Sequence, residues 1–596
     1  MREPSESSPA EAQPVEVQPA ESRGAEPHAE QPPAEASGGG GSRAAVVAAG
    51  IFSSRIVGFV RERVIAHFFG GSAFTDVFTT AFRGPNVLQV LFGEQTLSAA
   101  FIPIYARMVE QGREEEAGRF AGAVFGLLLA LAAALSVAGI LLARPIVAIF
   151  ATGYLNDAAQ VAAGTMEVNR FELSVRAVRW IFPMTGLLML SAWCLGVLNS
   201  HRRFFLSYFA PVLWNVSIIA TLGTAGALWL GPTAGIDAAS RVLLVTCAGA
   251  LVGGLLQFLV QLPLALRLLT GLRISVSTRV AGVRESLRAF GPVLAGRGVV
   301  QLSLYLDHFL ASFLAVGAIS AIRWGSFLYA LPVSLFGISV AAAELPELAR
   351  VADGPADRLL QRTRRSLRQM SFLVLPTAVG YLIFGYLVTG LLYRSGEFSV
   401  TDQWLVYLVL AAYSLGLPAS TASRLLQNLF YALGDTRSPA KVAALRVAVG
   451  SAIGAGLMLW LDHFTVSDTV GQVVSSGGLG PDVLFLGAVG LAVGSAVGSW
   501  VELVSLRRVL ATRLPAPPPV APPGRFLLLA LAAGVPAVLL WLVLPAWHVA
   551  FQAMLVLAVY AALYLGAAAA FRLPELESWW SLLRRRRRKA SGDSKH

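Results

Sequence analysis

The chain has 596 residues, of which 55% are hydrophobic and only 14% are charged. Soluble globular proteins carry about 25% charged residues, so this chain has too few to cover a soluble surface, and it is predicted to be an integral membrane protein. Its net charge of +12 does not require nucleic acid, and we expect none as a partner. Basic loops that remain in the cytoplasm, next to anionic membrane lipids, account for the charge.

The first 42 residues form an acidic tail rich in Pro, Ala, Ser and Gly, with eight glutamates and two arginines. Because this tail has no apolar run, it is predicted to be disordered. It also lacks the apolar core of a secretory signal peptide. We therefore expect residues 1–42 to be a solvated extension on the cytoplasmic side.

From Ala44 onward, apolar segments recur at the length that spans a hydrocarbon core of about 30 Å. The predicted fold class is therefore an all-α polytopic membrane protein with about 14 transmembrane helices. The segments cover residues 44–69, 75–106, 120–143, 171–198, 204–230, 242–268, 288–315, 319–348, 370–393, 404–431, 441–461, 483–510, 526–547 and 549–571.

Basic residues are concentrated in alternate loops. The loops after even-numbered segments contain clusters such as Arg202 and Arg203, whereas the stretch from Phe464 to Asp482 contains neither Lys nor Arg. This alternation is the positive-inside pattern. It predicts that both termini are cytoplasmic, including the basic tail over residues 573–596.

The sequence also contains a weak internal repeat, in which residues 68–92 lie over 315–339 with Pro85 over Pro332. Duplicated halves with a binding site between them are typical of transporters that alternate their access. We predict two six-helix lobes followed by a Pro-rich linker and a final helix pair. Their bounds are 43–285, 286–514 and 515–572.

The first predicted helix has ionisable groups within an apolar segment. One sector of it, roughly 120° wide at about 100° per residue, carries Ser54, Arg55, Gly58, Arg61 and Glu62. A charge at the membrane centre costs about 2.5–3.5 kcal/mol on insertion scales, so this sector predicts a water-filled chamber between the lobes. Arg63 lies outside the sector and is expected to extend towards the membrane surface.

Later segments add more candidates for the same chamber: Asp76, Arg83, Glu94, Arg297, Asp307, His308 and Arg323. Asp76 and Arg323 occupy equivalent places in the repeat, which predicts a salt bridge between the lobes. Plainer explanations stay open for several of the others. Arg297 could reach the interface instead, His308 could be a packed polar residue, and Glu94 and Asp307 could merely neutralise arginines.

Arginines outnumber acidic groups among these candidates, which favours a phosphorylated substrate. A guanidinium group binds phosphate oxygens in a bidentate fork and stays ionised when buried. Outward movement of an anion is also favoured by a negative cell interior, by about 2.3 kcal/mol per charge per 100 mV. We expect the membrane potential to contribute to the driving force for transport. We expect no cofactor and no metal, and we leave the identity of any coupling ion open. Cys194 and Cys247 are predicted to be core thiols rather than a disulfide.

Several motifs together resemble the MurJ (MviN) lipid II flippase family, which shares a superfamily with the MATE exporters. The motifs run in order from about residue 50 to 510 and include SRIVGFVRE (54–62), FGGSAFTDVFTTAFRGPN (69–86), FGEQTLSAAFIPIYA (92–106), FAPVLWN (209–215), LDHFLASFLAVGAIS (306–320), ELPELAR (344–350) and FYALGDTRSPAK (430–441).

This resemblance implies fourteen helices, with two lobes around a cationic cavity and a final helix pair beside a groove for a lipid tail. It implies a transporter in the bacterial cytoplasmic (inner) membrane rather than an enzyme. Such proteins move lipid II, the undecaprenyl-diphosphate-linked peptidoglycan precursor, from the inner to the outer leaflet. Expected partners are lipid II, membrane lipids and cell-wall synthesis proteins.

The resemblance implies that functional positions of the family are occupied here by Arg55, Arg61, Asp76, Arg83 (usually Lys in the family) and Glu94. Two sites depart from the family pattern: Gln89 stands where the family has an arginine, and Ser326-Phe327 stands where it usually has Asp-Arg. Arg323 and Arg297 are expected to compensate.

We therefore predict a diphosphate-binding set and a gating or charge-pairing set. They are Arg55, Arg61, Arg83, Arg297 and Arg323, and Glu62, Asp76, Glu94 and Asp307. The alternatives are an ion-coupled MATE-type exporter that depends on a lone acid, and a transport-inactive scaffold of the same family. A membrane enzyme acting on polyprenyl phosphates would need acidic metal-binding loops, whereas these loops are basic.

Overall fold

The computed structural model describes residues 40–231, 235–338, 355–471, 484–514, 524–545 and 548–576, together with Glu344, Glu347, Leu348 and Arg350. The predicted acidic tail lies outside this range as far as residue 39. The predicted basic tail lies outside it from residue 577 onward.

Helices account for nearly all regular structure in the described part of the chain. They are α1 (Gly40–Phe69), α2 (Ala73–Phe92), α3 (Glu94–Ala100), α4 (Ile102–Glu110), α5 (Glu114–Leu141), α6 (Ala143–Phe150), α7 (Asp157–Ala162), α8 (Arg170–Ser200), α9 (Phe204–Trp229), α10 (Ile236–Arg267), α11 (Val283–Ala311), α12 (Ala318–Pro332), α13 (Ala356–Tyr393), α14 (Val400–Leu415), α15 (Leu417–Ala432), α16 (Arg437–Leu461), α17 (Val466–Gly471), α18 (Gly487–Ala511), α19 (Gly524–Val543) and α20 (Val549–Ala570).

The predicted all-α membrane fold is confirmed. Within the described residues, eleven helical stretches are long and apolar enough to cross a membrane, and the bent pair α14–α15 is a twelfth. The other two predicted spans are α1 and α11, with 30 and 29 residues. Both are long enough to cross a membrane.

Two groups of helices pack into separate lobes. In the first lobe, α8 is the central helix and contacts α2, α5 and α10, while α9 packs between α1 and α10. In the second lobe, α18 has the same role against α14, α15 and α16. The free thiols Cys194 and Cys247 are both buried in the first lobe, as predicted.

The final pair α19 and α20 packs on α13, where a proline creates a specific need. Pro376 has no N–H, so the carbonyl of Phe372 one turn earlier loses its helical partner. The Tyr564 hydroxyl donates to that carbonyl at 2.7 Å, and the Tyr560 hydroxyl donates to the Pro376 carbonyl at 2.9 Å. Side chains of neighbouring helices can satisfy the backbone groups that a proline frees in a membrane helix.

The segment between the lobes, residues 268–282, runs along α5. Gly118, Gly122 and Gly126 form a row on α5. The carbonyls that lie against them, so closely that a Cβ at any of the three would collide, are those of Thr270, Arg273 and Ser275. Small residues spaced by four permit such backbone contact in membrane helices. The row therefore fixes where the second lobe begins relative to the first.

Candidate substrate cavity between the lobes

A cavity of about 250 Å³ lies where the two lobes meet. Its wall comes from α1, α2, α9, α11 and α12, so neither lobe forms it alone. The lining residues include Arg61, Glu62, Thr79, Arg83, Asn86, Trp214, Asp307, His308, Arg323 and Ser326. Three arginines and two carboxylates leave this wall with an excess of positive charge.

Glu62 lies at the centre of the charge arrangement. Its Oε1 accepts from Arg61 Nη2 at 2.7 Å and from Arg323 Nη2 at 2.8 Å. The carboxylate is buried, whereas both guanidinium groups keep 17% of their side-chain surface exposed. One negative charge is thus shared by two cations that still face the cavity.

The Arg61 guanidinium group is oriented by further contacts in the first lobe. Its Nη1 donates to Asn215 Oδ1 at 2.9 Å, and its Cζ lies 5.0 Å from the centre of the Trp214 ring. Cation–π contact of this kind stabilises a partly buried cation without neutralising it. Arg61 is therefore held in place with its charge intact.

Arg323 is oriented in the same manner from the second lobe. Its Nη1 donates to Thr79 Oγ1 at 2.9 Å, and its Cζ lies 5.3 Å from the centre of the Phe78 ring. Both contacts are with α2, so Arg323 reaches across to the first lobe through three separate side chains.

Arg83 differs from these two arginines. It donates no hydrogen bond to any residue that the structure describes, and its Nε is buried without a partner. Asp307 is within electrostatic reach, and the neighbouring His308 has a buried Nε2 that is also without a partner. A guanidinium group left in this state can accept an anionic ligand.

The predicted salt bridge between Asp76 and Arg323 is wrong. Asp76 is fully buried and accepts instead from the backbone N–H groups of Gly317 at 2.8 Å and Ser320 at 2.9 Å, and from the Ser320 hydroxyl. These groups form the first turn of α12, where unpaired N–H groups favour a carboxylate. Arg323, one turn further along, reaches Glu62. Asp76 and Arg323 therefore join the lobes through two separate contacts.

The position of Asp76 is supported by a pair that sequence reasoning missed. Arg170 binds Asp157 through Nε at 2.8 Å and Nη2 at 3.1 Å, and its Nη1 lies 4.0 Å from Asp76. Arg170 is 4% exposed and Asp157 is fully buried. The only sequence signal was an acid and a base flanking a loop between two apolar segments.

Glycine backbone closes the lobes against each other at this same end. Gly71 N–H donates to Asp402 at 3.1 Å, and Glu397 N–H donates to the His67 carbonyl at 2.9 Å. Gly317 has φ +89°, and a side chain there would collide with the Gly71 carbonyl. We call these contacts, together with Asp76 and the first turn of α12, the glycine seam. The loop pattern predicts that it lies on the outer side.

Arg55 and Arg63 lie outside the cavity wall. Arg55 is exposed and donates to Ser334 at 3.2 Å, in the π-helical turn Val333–Ile338 that follows α12. Arg63, which was expected to extend towards the membrane surface, donates to the carbonyls of Leu391 and Leu392 at 2.9 and 3.0 Å, at the C-terminal end of α13. Cations are favourable at such a helix C-terminus.

The positions that depart from the family pattern have distinct environments. Ser326 lines the cavity, and its hydroxyl donates to the Arg323 carbonyl at 3.0 Å. Phe327 faces away and packs on Phe59, with ring centres 6.4 Å apart. The predicted site residues Glu94 and Arg297 belong to helices α3 and α11, but their side chains lie outside the described part of the structure.

A second charged cluster, in the second lobe, was also missed. Glu502 on α18 accepts from Arg446 on α16 at 2.9 Å and from Gln427 on α15 at 2.7 Å. Arg424 lies one turn before Gln427 on the same face of α15. The sequence signal was present, since Arg424 and Arg446 both interrupt apolar segments.

Comparisons with known proteins agree on one family. The family model for lipid II flippase MurJ matches residues 65–564. The probable lipid II flippase MurJ of Rhizobium tropici is 32% identical over 417 residues, which cover 68% of this chain and 73% of the relative. Lipid II flippase MurJ of Burkholderia cenocepacia is 33% identical over 395 residues, which cover 65% and 73%.

Solved structures show the same fold. Lipid II flippase MurJ in an inward closed conformation superposes with a TM-score of 0.65 at 19% identity, covering 89% of this chain and 99% of that one. An inward-facing multidrug resistance MATE family transporter of the MOP superfamily gives a TM-score of 0.54 at 13% identity, covering 77% and 95%. The superfamily fold is therefore shared beyond the family.

Proposed function

Because this chain belongs to the lipid II flippase MurJ family of membrane transporters, we propose that it moves lipid II from the inner to the outer leaflet of the bacterial cytoplasmic membrane. The mechanism is alternating access around the cavity between the lobes. The curated relatives carry the name of this substrate. The observation that carries the proposal is the sharing of Glu62 by Arg61 and Arg323, with Arg83 unpaired nearby.

The diphosphate replaces Glu62 as the partner of the two guanidinium groups. A diphosphate offers several oxygens and at least two negative charges, whereas Glu62 offers one oxygen to both arginines. Bidentate binding of phosphate by arginine is stronger than a single shared contact. Arg83 supplies a third cation on the same wall, and Asp307 keeps the net charge of the site moderate.

Ligand binding then weakens the contact between the lobes at the cavity. Arg61 belongs to the first lobe and Arg323 to the second, so their release from Glu62 leaves the glycine seam as the main connection on that side. Separation of Asp76 from the first turn of α12 then exposes the cavity to the outer side. A ligand drives this step only to the extent that it binds the outward-open state more tightly than the closed state.

No cofactor or metal is assigned to this cycle. The membrane potential favours outward movement of the anionic headgroup by about 2.3 kcal/mol per charge per 100 mV. Membrane lipids surround the final helix pair, and cell-wall synthesis proteins are the expected consumers of the product.

Complementation tests the proposal. The resident lipid II flippase is depleted in a host, this chain is expressed, and lipid II in the outer leaflet is measured. We expect rescue by the unmodified chain and its loss on Arg61→Ala, while Arg119→Ala, at an exposed ion pair with Glu115, rescues fully. Rescue that survives Arg61→Ala contradicts the site. Failure of the unmodified chain, when it is present in the membrane, contradicts the substrate and favours an ion-coupled exporter or a scaffold.

A further inference from the structure

The charged cluster of the second lobe lies well inside the membrane-spanning part of the chain. Arg424, Arg446 and Glu502 each stand roughly 12–14 Å from the helix end nearest the predicted cytoplasmic loops, at a rise of about 1.5 Å per residue. Charged side chains at such depth normally face a partner or a water-filled cavity. The contacts of each residue distinguish these two cases.

Glu502 and Arg446 are partners. Glu502 is buried and has both oxygens engaged, one by Arg446 and one by Gln427. Arg446 keeps 34% of its side-chain surface exposed and uses one of its five N–H groups on Glu502, so other donors remain available.

Close packing of two helices holds this pair rigidly. A Cβ added at Gly494 on α18 would collide with the backbone of Gly450 and Gly454 on α16, and one at Gly498 would meet the Arg446 carbonyl. Glycines at this spacing let two membrane helices touch through their backbones. Arg446 therefore stands at a fixed point on the lobe surface.

Arg424 has no such partner. It is exposed, and among the residues that the structure describes it forms no hydrogen bond or ion pair. Its charge is within electrostatic reach of Arg446, Glu502 and the phenol of Tyr329. The cluster thus contains two cations and one anion, and the uncompensated charge belongs to Arg424.

The cluster lies next to the cavity between the lobes. Tyr329, one turn after the cavity-lining Ser326 on α12, donates to the Ser420 hydroxyl on α15 at 2.7 Å. Ser420 precedes Arg424 by one turn of α15, so the two residues lie on one face of that helix. The cluster therefore adjoins the cavity wall on the side of the second lobe.

We propose that Arg424, supported by Arg446, is a second anion-binding site that holds a carboxylate of the substrate headgroup. This inference rests on the proposed function, in which Arg61, Arg83 and Arg323 bind the diphosphate. The remaining acidic groups of a peptidoglycan precursor are the carboxylates of its peptide. One uncompensated guanidinium group matches one carboxylate in charge and in its two-oxygen geometry.

Equilibrium binding of the full-length protein in lipid nanodiscs tests the site. The two probes are lipid II and the same lipid with its peptide carboxylates converted to amides, so that only the carboxylate differs. The variants are Arg424→Gln and Arg424→Lys, with Arg437→Gln, at an exposed position of the same lobe, as the matched control for loss of one charge. Melting temperatures establish that each variant is folded.

We expect unmodified protein and Arg437→Gln to bind lipid II at least fivefold more tightly than the amidated lipid. Arg424→Gln removes that difference with unchanged affinity for the amidated lipid, and Arg424→Lys retains part of it. If Arg424→Gln loses affinity equally for both lipids, or for neither lipid, the second site is overturned. Equal affinity of the unmodified protein for both lipids overturns it too and leaves the proposed function standing. If the unmodified protein binds neither lipid, both the second site and the proposed function are contradicted.

Discussion

Arg323 of α12 donates to the carboxylate of Glu62 on α1 at 2.8 Å, which joins the second lobe to the first across the cavity wall. The same oxygen accepts from Arg61. Removal of one partner from a buried pair costs more than the pair contributes, because a charge is left behind. Here one arginine keeps Glu62 neutralised while the other moves to a ligand, so this penalty arises only when both guanidinium groups have left Glu62.

Arg323→Ala is expected to impair transport strongly. The diphosphate loses the charged hydrogen bonds that this guanidinium group donates to it. Binding of undecaprenyl diphosphate should therefore weaken by about 1.5–3 kcal/mol. Arg323→Lys keeps the positive charge but not the two-pronged guanidinium geometry, so its affinity and flipping rate should lie between those of the unmodified protein and Arg323→Ala. The measurements are binding in nanodiscs and flipping in liposomes, with Arg350→Ala, at an exposed ion pair with Glu347, as control. Unimpaired flipping by Arg323→Ala would remove Arg323 from the site.

Asp76→Asn is expected to loosen the glycine seam. The amide cannot accept all three hydrogen bonds that the carboxylate receives from the first turn of α12, and each unpaired buried group costs about 1–3 kcal/mol. A cysteine at Ile322, on the cavity wall, should then react faster with a membrane-impermeant thiol reagent added from outside. A cysteine at Ser72, next to the seam, serves as the control for access. Equal rates at Ile322 with and without Asp76→Asn would show that Asp76 does not hold the seam.

Tyr564→Phe is expected to destabilise the packing of the final helix pair on α13. Its hydroxyl satisfies the Phe372 carbonyl that Pro376 leaves without a partner, so its removal should cost about 1–3 kcal/mol of unfolding free energy. Tyr393→Phe is the matched control, because the buried Tyr393 hydroxyl has no hydrogen-bond partner among the described residues. Thermal unfolding in detergent should show a lower midpoint for Tyr564→Phe only. Equal midpoints would mean that water or a lipid satisfies the carbonyl.

Gly122→Ala is expected to disturb the segment between the lobes. The added Cβ would collide with the Arg273 carbonyl, and overpacking of this kind costs about 1–3 kcal/mol. Gly223→Ala on α9 is the control, because nothing lies within 4 Å of a Cβ there, and alanine in a helix is more stable than glycine by about 0.5–1 kcal/mol. The two substitutions should shift the unfolding midpoint in opposite directions. A stabilising Gly122→Ala would show that the segment is not held against α5.

Composition and periodicity determined a good deal by themselves. The scarcity of charge predicted a membrane protein, and the 3.6-residue period placed Arg61 and Glu62 on one sector of α1, because neighbours along a single helix are set by geometry that the sequence alone contains. The surplus of arginine over acid within apolar segments pointed to an anionic ligand for the same reason: each such charge must find a counterpart wherever the helices lie.

Only the tertiary structure decided which charges meet. Equivalent places in the repeat predicted that Asp76 would pair with Arg323, yet Asp76 binds the first turn of α12 and Arg323 binds Glu62. Partners on different helices depend on the rotation and depth of each helix, which are set by the glycine contacts and apolar packing of the whole molecule. For the same reason, the neighbours of Arg424 could not be predicted from the sequence. The sequence of one helix shows that a charge is present, but only the assembled lobes show whether that charge is paired.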